Sequence, residues 1–308
     1  MGRGQVAMSG KSEKLFAYLV LALPALLIYL AVVAFPTIFS VLLSLTDYNG
    51  GQIFGGGDKI NFVGFARYKW MFTEPTRAFY TSLKNNMLIV AVSVFGQIPL
   101  GFVLAYILTR KLVTKGIGFF QAMIYLPNVI SAIIIGVLFN AFILSRDSLY
   151  VEIRRLINPD YVFTISSTPM VPVLIVILWM FTGFYMIIFM ANMQRIDPQI
   201  IEAARIDGAK EGSILIHVIL PALTGVIITC AILAISGSLK TFDLIYAMTS
   251  GGPAGQTRVL SLYMYQSAFQ GSANYPLANA ISTVMVLISI ILIIVTQIVG
   301  KIFGGKEV

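Results

Sequence analysis

"VPVLIVILWMFTGFYMIIFMANM", residues 171–193, holds no charged side chain. Twenty or so consecutive apolar residues are the length a helix needs to cross the hydrocarbon core of a bilayer. Five further stretches read the same way, at about 15–45, 88–108, 119–144, 219–239 and 276–300. The first exceeds one crossing, so Pro24 and Pro36 are expected to kink it, or its end to project beyond the bilayer. The whole composition agrees. The 308 residues are 58% hydrophobic and 11% charged, with a mean hydropathy of +0.88. Soluble domains average about 45–50% apolar and about 25% charged. The expected fold is all-α and polytopic, with six transmembrane helices in one membrane domain over 15–300 and short tails at 1–14 and 301–308.

The net charge of +8 reads as topology rather than as a nucleic-acid footprint. With both termini cytoplasmic, the inner segments 1–14, 109–118, 194–218 and 301–308 carry 11 of the 21 Lys and Arg residues. The much longer outer loops, 46–87, 145–170 and 240–275, carry the other 10. That density places the termini inside. The apolar run after Lys14 is too long for a removable signal peptide. A single cysteine, Cys230, precludes an internal disulfide framework, and a single histidine, His217, precludes a multi-histidine metal site.

No Asp, Glu, Lys or Arg lies well inside any of the six stretches; Lys84 and Lys240 only flank them. Ion-coupled carriers place such groups at mid-membrane, so the energy for any uphill transport is expected from outside this chain. "GQVAMSGKS", residues 4–12, imitates a phosphate-binding loop but fails its spacing. Gly4 precedes Gly10 by six residues, Gln5 stands at the required glycine, and no strand precedes it.

The segment after 171–193 is different in kind. "IEAARIDGAKEG", residues 201–212, packs five ionisable side chains between two apolar stretches. Asp197-Pro198 is a strong helix start, since Asp caps free amides and Pro suits the first helical position. A short helix over "QIIEAARID" should end at Gly208 in a left-handed turn, with a second helix starting near Ala209. Ile200, Ala203, Ala204 and Asp207 share one face at helical spacing, bordered by Glu202 and Arg205. In 194–218 the four acids outnumber the three bases, so this is not a simple positive-inside loop. On physical grounds a docking element and a solvated amphipathic helix both fit.

"EAARIDGAKEGSILIHVILP" resembles the EAA loop of binding-protein-dependent ABC importer permeases. Glu202, Ala203, Ala204, Gly208, Leu220 and Pro221 match its pattern in identity and spacing. Val218 replaces an isoleucine, and Gly212 stands where an aromatic residue is frequent. "LPALLIYLAVVAFPTIFSVLLSLTDYN", "FVGFARYKWMFTEP" and "TSGGPAGQTRVLSLYMYQSAF" are similar, in order along the chain, to segments of carbohydrate-type permeases, and the last two look more like the first permease of a maltose- or glycerol-phosphate-type pair than the second.

The resemblance implies that 196–221 is a coupling loop with a short cytoplasmic coupling helix, and that Glu202, Ala203, Ala204, Asp207, Gly208, Leu220 and Pro221 join this chain to an ATPase. It further implies a second homologous permease, two cytoplasmic ATPase subunits that bind ATP and Mg, and an extracytoplasmic solute-binding protein. This chain would hold no cofactor, perform no catalysis, and form half of a path through the cell membrane for a sugar or related polar solute. A secondary carrier working without an ATPase is the alternative. Tyr246, Tyr263, Tyr265 and Phe269 fit a sugar path and an interfacial aromatic belt equally well.

Overall fold

Three prolines explain the irregularities of the long helices. In a computed structural model, which describes residues 19–50, 60–110, 116–144, 149–157 and 169–304, each of Pro36, Pro99 and Pro221 is the second residue after a five-residue π-helical turn. The turns are Leu30–Ala34, Ser93–Gln97 and Leu215–Ile219. A proline has no N–H to donate, and its ring clashes with the carbonyl four residues earlier. Widening the preceding turn moves that carbonyl aside and lets the helix continue.

The helices in chain order are α1 (Leu19–Ser44), α2 (Ala66–Thr73), α3 (Ala78–Thr109), α4 (Ile117–Val129), α5 (Ala132–Phe142), α6 (Leu149–Ile157) and α7 (Met170–Met193). They continue as α8 (Pro198–Ile206), α9 (Glu211–Ala222), α10 (Thr224–Lys240), α11 (Asp243–Thr249), α12 (Leu260–Phe269) and α13 (Tyr275–Gly304). Besides them, the described residues show an isolated antiparallel bridge between Thr46 and Phe62.

Four helices, α1, α3, α7 and α13, are each long and apolar enough to cross a membrane. The third and fifth expected crossings are broken. α4 and α5 meet at 90°, and α9 leads at 66° into α10, the apolar crossing part. The break after Val129 is an extended backbone at Ile130 and Ser131, just beyond Pro127. The second falls at Leu223, just after Pro221.

Two boundaries differ from the sequence reading. The second span starts at Ala78 rather than at 88, because Asn85 and Asn86 are buried and bonded rather than interfacial. Asn85 Nδ2 donates to the carbonyls of Gln256 and Arg258, and Asn86 takes Leu260 N–H and gives to the Ser238 carbonyl. The last helix runs to Gly304, into the segment read as a tail. The "GQVAMSGKS" segment, the glycine-rich residues 51–59, most of the outer loop 145–170 and residues 305–308 lie outside the described residues.

α7 is the hub, packed against α3 and α4. Glycines set those crossings: a Cβ on Gly101 would stand 2.8 Å from Tyr185 Cβ and 2.9 Å from the Met186 nitrogen, and one on Gly183 would strike the Ile124 carbonyl oxygen. Small residues permit such close approach between membrane helices. α1 packs on α13, and most of its surface stays exposed.

Candidate functional site

The loop after α7 folds by local rules. The Asp197 carboxylate accepts the Gln199 N–H at 2.9 Å, capping α8, and Pro198 occupies its first turn. Gly208 ends it at φ +84°. Gly208 N–H donates to the Arg205 carbonyl at 3.0 Å and Ala209 N–H to the Ala204 carbonyl at 2.9 Å. These paired bonds are the Schellman closure that a left-handed residue makes possible. Lys210 is extended and leads into α9. The next helix therefore starts at Glu211, two residues later than the sequence suggested.

The face expected to dock is divided between two sides. Ile201 and Ala204 pack inward, with Ile196 and Ala209, on the cluster that contains Leu108, Met190, Met193, Ile214 and Ile219. Glu202, Ala203 and Asp207 face out. So do Ile200, 53% exposed, and Ile206, 85% exposed. A short helix lying on a bundle must bury one stripe of its own, and Ile201–Ala204 is that stripe. Ala204 thus serves the chain's own packing, and the projecting apolar group is Ile206, which the sequence reading passed over. Leu220 and Pro221 lie apart from α8 in sequence, at the end of α9, where the chain bends into α10.

Glu211 fastens the loop to the bundle. Arg205 donates to its Oε1 at 2.6 Å, Arg110 at the end of α3 donates to both of its oxygens at 3.0 Å, and the Tyr106 hydroxyl donates to Oε2 at 3.1 Å. The Arg205 hydrogen bond, helped by Arg110 and Tyr106, holds the Glu211 carboxyl at about 2, and Glu211 in turn raises the Arg205 guanidinium above its ordinary value. Glu202, on the same helix, contributes only a weaker, longer-range attraction to Arg205. This four-residue link joins α3, α8 and α9. Its partners are 101 and 6 residues apart along the chain, so only local spacing was available to suggest the shorter pairing.

Deeper in the bundle, Ser93, Gln97, Ser238 and Thr241 line a small cleft together with Phe181, Tyr185 and Gly237. Ser238 donates to Ser93 Oγ at 3.0 Å, and Gln97 Nε2 donates to the Ile177 carbonyl at 2.8 Å. Polar side chains inside membrane helices are held by such bonds because lipid offers no alternative partner. None of these was singled out from the sequence; the adjacent polar pair Asn85-Asn86 before an apolar run was the available signal.

Of the aromatic candidates, Tyr263 is not free to line a path. It is 7% exposed, and its hydroxyl donates to Glu74 Oε1 at 3.1 Å. Tyr246, Tyr265 and Phe269 do come together, with Phe242. Gly251-Gly252-Pro253 forms a turn in which Thr257 Oγ1 donates to the Gly252 carbonyl at 2.8 Å. His217, in the π turn of α9, places Nδ1 3.0 Å from the Ser213 carbonyl.

Comparison with known proteins assigns this architecture. Over 300 residues the chain is 31% identical to the probable ABC transporter permease protein YurN of Bacillus subtilis, covering 96% of this chain and 98% of that one. It is 30% identical over 275 residues to the lactose transport system permease protein LacF of Rhizobium radiobacter, covering 87% and 89%. A bacterial alginate ABC transporter, crystallised with an alginate pentasaccharide-bound periplasmic protein, contains a chain of the same fold. There the TM-score is 0.78 at 19% identity over 97% of this chain and 99% of that one. The sequence model of one family spans residues 97–306, well over half of the chain. The chain belongs to the family of binding-protein-dependent transport system inner membrane components, the permeases of ABC importers.

Proposed function

We propose that this permease forms half of the translocation path of an ATP-driven importer for a sugar or related polar solute. A second homologous permease supplies the other half, two cytoplasmic ATPase subunits bind ATP and Mg, and an external binding protein delivers the solute. Both termini face the cytoplasm, and no catalytic step belongs to this chain. α8, with Glu202, Ala203, Asp207 and Gly208 in its outer surface and turn, is the element that meets the ATPase. Ala204 holds α8 to the bundle, and Leu220-Pro221 sets the bend that passes its motion into α10.

The observation that carries this reading is α8 itself. It is capped at both ends, anchored through Glu211 to α3, and presents Ile206 and Ile200 away from its own bundle. Ile200 and Ile206, exposed on a fastened helix, offer a partner apolar surface to bury. A rigid lever tied to both α3 and α9 can pass a push from a partner directly to two membrane helices. Closure of the ATPase dimer on ATP would then switch the path between inward- and outward-facing arrangements. The polar cleft of Ser93, Gln97, Ser238 and Thr241 provides the hydrogen-bonding surface that a hydroxylated solute needs. Sugar transport is supported by relatives named for lactose and multiple-sugar systems.

The test is uptake into vesicles holding the complex, with the binding protein outside, ATP inside and labelled mono- and oligosaccharides as solutes. Uptake should require the ATPase subunits and ATP. Uptake without the ATPase, driven by an ion gradient, would place the protein among secondary carriers instead.

A further inference from the structure

The rings of Phe242, Tyr246, Tyr265 and Phe269 form one connected cluster beyond the end of α10, on the side proposed to face outward. Phe242 stacks on Tyr246 with centroids 5.3 Å apart and planes within 14°. Tyr265, from α12, sets its ring across both at 5.2 and 5.7 Å. Phe269 extends the row at 5.5 Å from Tyr265. Phe242 and Tyr265 are anchored from behind, against the cluster containing Ile245, Met248 and Leu262. Tyr246 and Phe269 project, 40% and 70% exposed. Among the described residues neither Tyr246 nor Tyr265 has a hydrogen-bond partner for its hydroxyl. Thr241, in the wall of the polar cleft, immediately precedes Phe242, and Phe242 and Tyr265 pack on the apolar cluster whose Ile89 and Ile177 also line that cleft.

We infer that this cluster is a stacking platform for a pyranose ring at the outer mouth of the path. The inference rests on the sugar-importer reading and adds a location and a mode of contact. A pyranose has an apolar C–H face and a rim of hydroxyls. The C–H face suits the electron-rich face of an aromatic ring, and the rim suits unpaired phenol groups that can donate or accept. Rings held by their neighbours lose little freedom when a ligand arrives, so the platform is preorganised. An interfacial belt distributes single rings at headgroup level. Here four rings from two segments of the chain converge into one connected row, which a belt does not require.

The test uses the assembled complex in nanodiscs and saturation-transfer NMR with methyl β-glucoside, lactose and maltotriose as probes. Mannitol, which has hydroxyls but no ring face, is the control. Pyranoside signals should localise to ring C–H protons and exceed that of mannitol. Tyr246→Leu and Phe269→Leu should each weaken binding roughly threefold to tenfold, the span expected for one aromatic stacking contact. Tyr246→Phe should lose less, since it keeps the ring. Expression and subunit pairing should be unchanged in all three variants. Equal binding by the Leu variants, equal signals from mannitol, or no pyranoside signal from the wild type would overturn the platform. Failed membrane insertion or subunit pairing in the Leu variants would also overturn it, in favour of a belt or a subunit contact. ATP-driven sugar uptake by the wild type separates the two levels. If uptake persists, only the platform fails; if it is absent, the importer reading beneath it fails.

Discussion

Ile206 offers the sharpest test of α8, because its side chain does nothing for the free chain. It is 85% exposed at the last position of the helix. Replacing an exposed side chain shifts stability by no more than about 0.5 kcal/mol. If Ile206 fills a groove on the ATPase, the accounting changes. Ile206→Ala removes three carbons worth roughly 0.8 kcal/mol each on burial. The exposed fraction sets how much of that is available to a partner, leaving about 2 kcal/mol, or about thirtyfold in the dissociation constant. Ile206→Asp should weaken docking further, since an unpaired carboxylate would be forced into an apolar contact. The assay is a titration of the detergent-purified permease pair with purified ATPase, followed by binding-protein-stimulated hydrolysis in vesicles. Expression, permease pairing and thermal stability should stay at wild-type levels while ATPase affinity falls. If the Asp variant binds the ATPase with unchanged affinity, the outward face of α8 is not the docking surface.

The remaining predictions concern how the loop is held. Ala204→Trp should fail differently from Ile206→Asp, because it overpacks the contact of α8 with its own bundle at a cost of about 1–3 kcal/mol. Limited proteolysis of the permease alone should then cut the loop faster, whereas Ile206→Asp leaves it protected. Gly208→Val should destabilise the turn by more than about 1 kcal/mol through its left-handed backbone alone, since a Cβ there meets nothing within 4 Å. Gly208→Asn, which tolerates that backbone, should rescue both proteolytic protection and uptake. Glu211 has a carboxyl held at about 2 against an ordinary 4.5. The stabilisation it contributes is therefore fully present above about pH 4.5 and is lost as the pH falls towards 2. The group is half-exposed, so the effect is under about 1 kcal/mol and screened by salt. Hydrogen exchange of α8 should accelerate over that acid range in the wild type, and the added acid sensitivity should be absent in Glu211→Gln.

Much of the architecture was legible without coordinates. Apolar runs of bilayer length admit only helices, because lipid satisfies no backbone hydrogen bond. Asp197-Pro198 and Gly208 act through bonds within a few residues, so the start and end of α8 followed from spacing alone. Where side chains face was harder to foresee. A helical wheel groups Ala203 with Ala204, yet it cannot say which edge of that face the bundle will cover. The 78–87 part of α3 falls in the expected outer loop 46–87, yet its asparagines find partners about 150 to 175 residues away, a pairing that hydropathy does not register.

Local chemistry thus determined the membrane class, the helical content and the capped loop, since each depends on composition or on neighbours within one or two turns. Tertiary structure decided the inward turn of Ala204, the outward projection of Ile206, the Glu211 link and the convergence of four aromatic rings. Each of these depends on which surfaces distant segments present to one another once packed, and that is a property of the bundle rather than of any stretch within it.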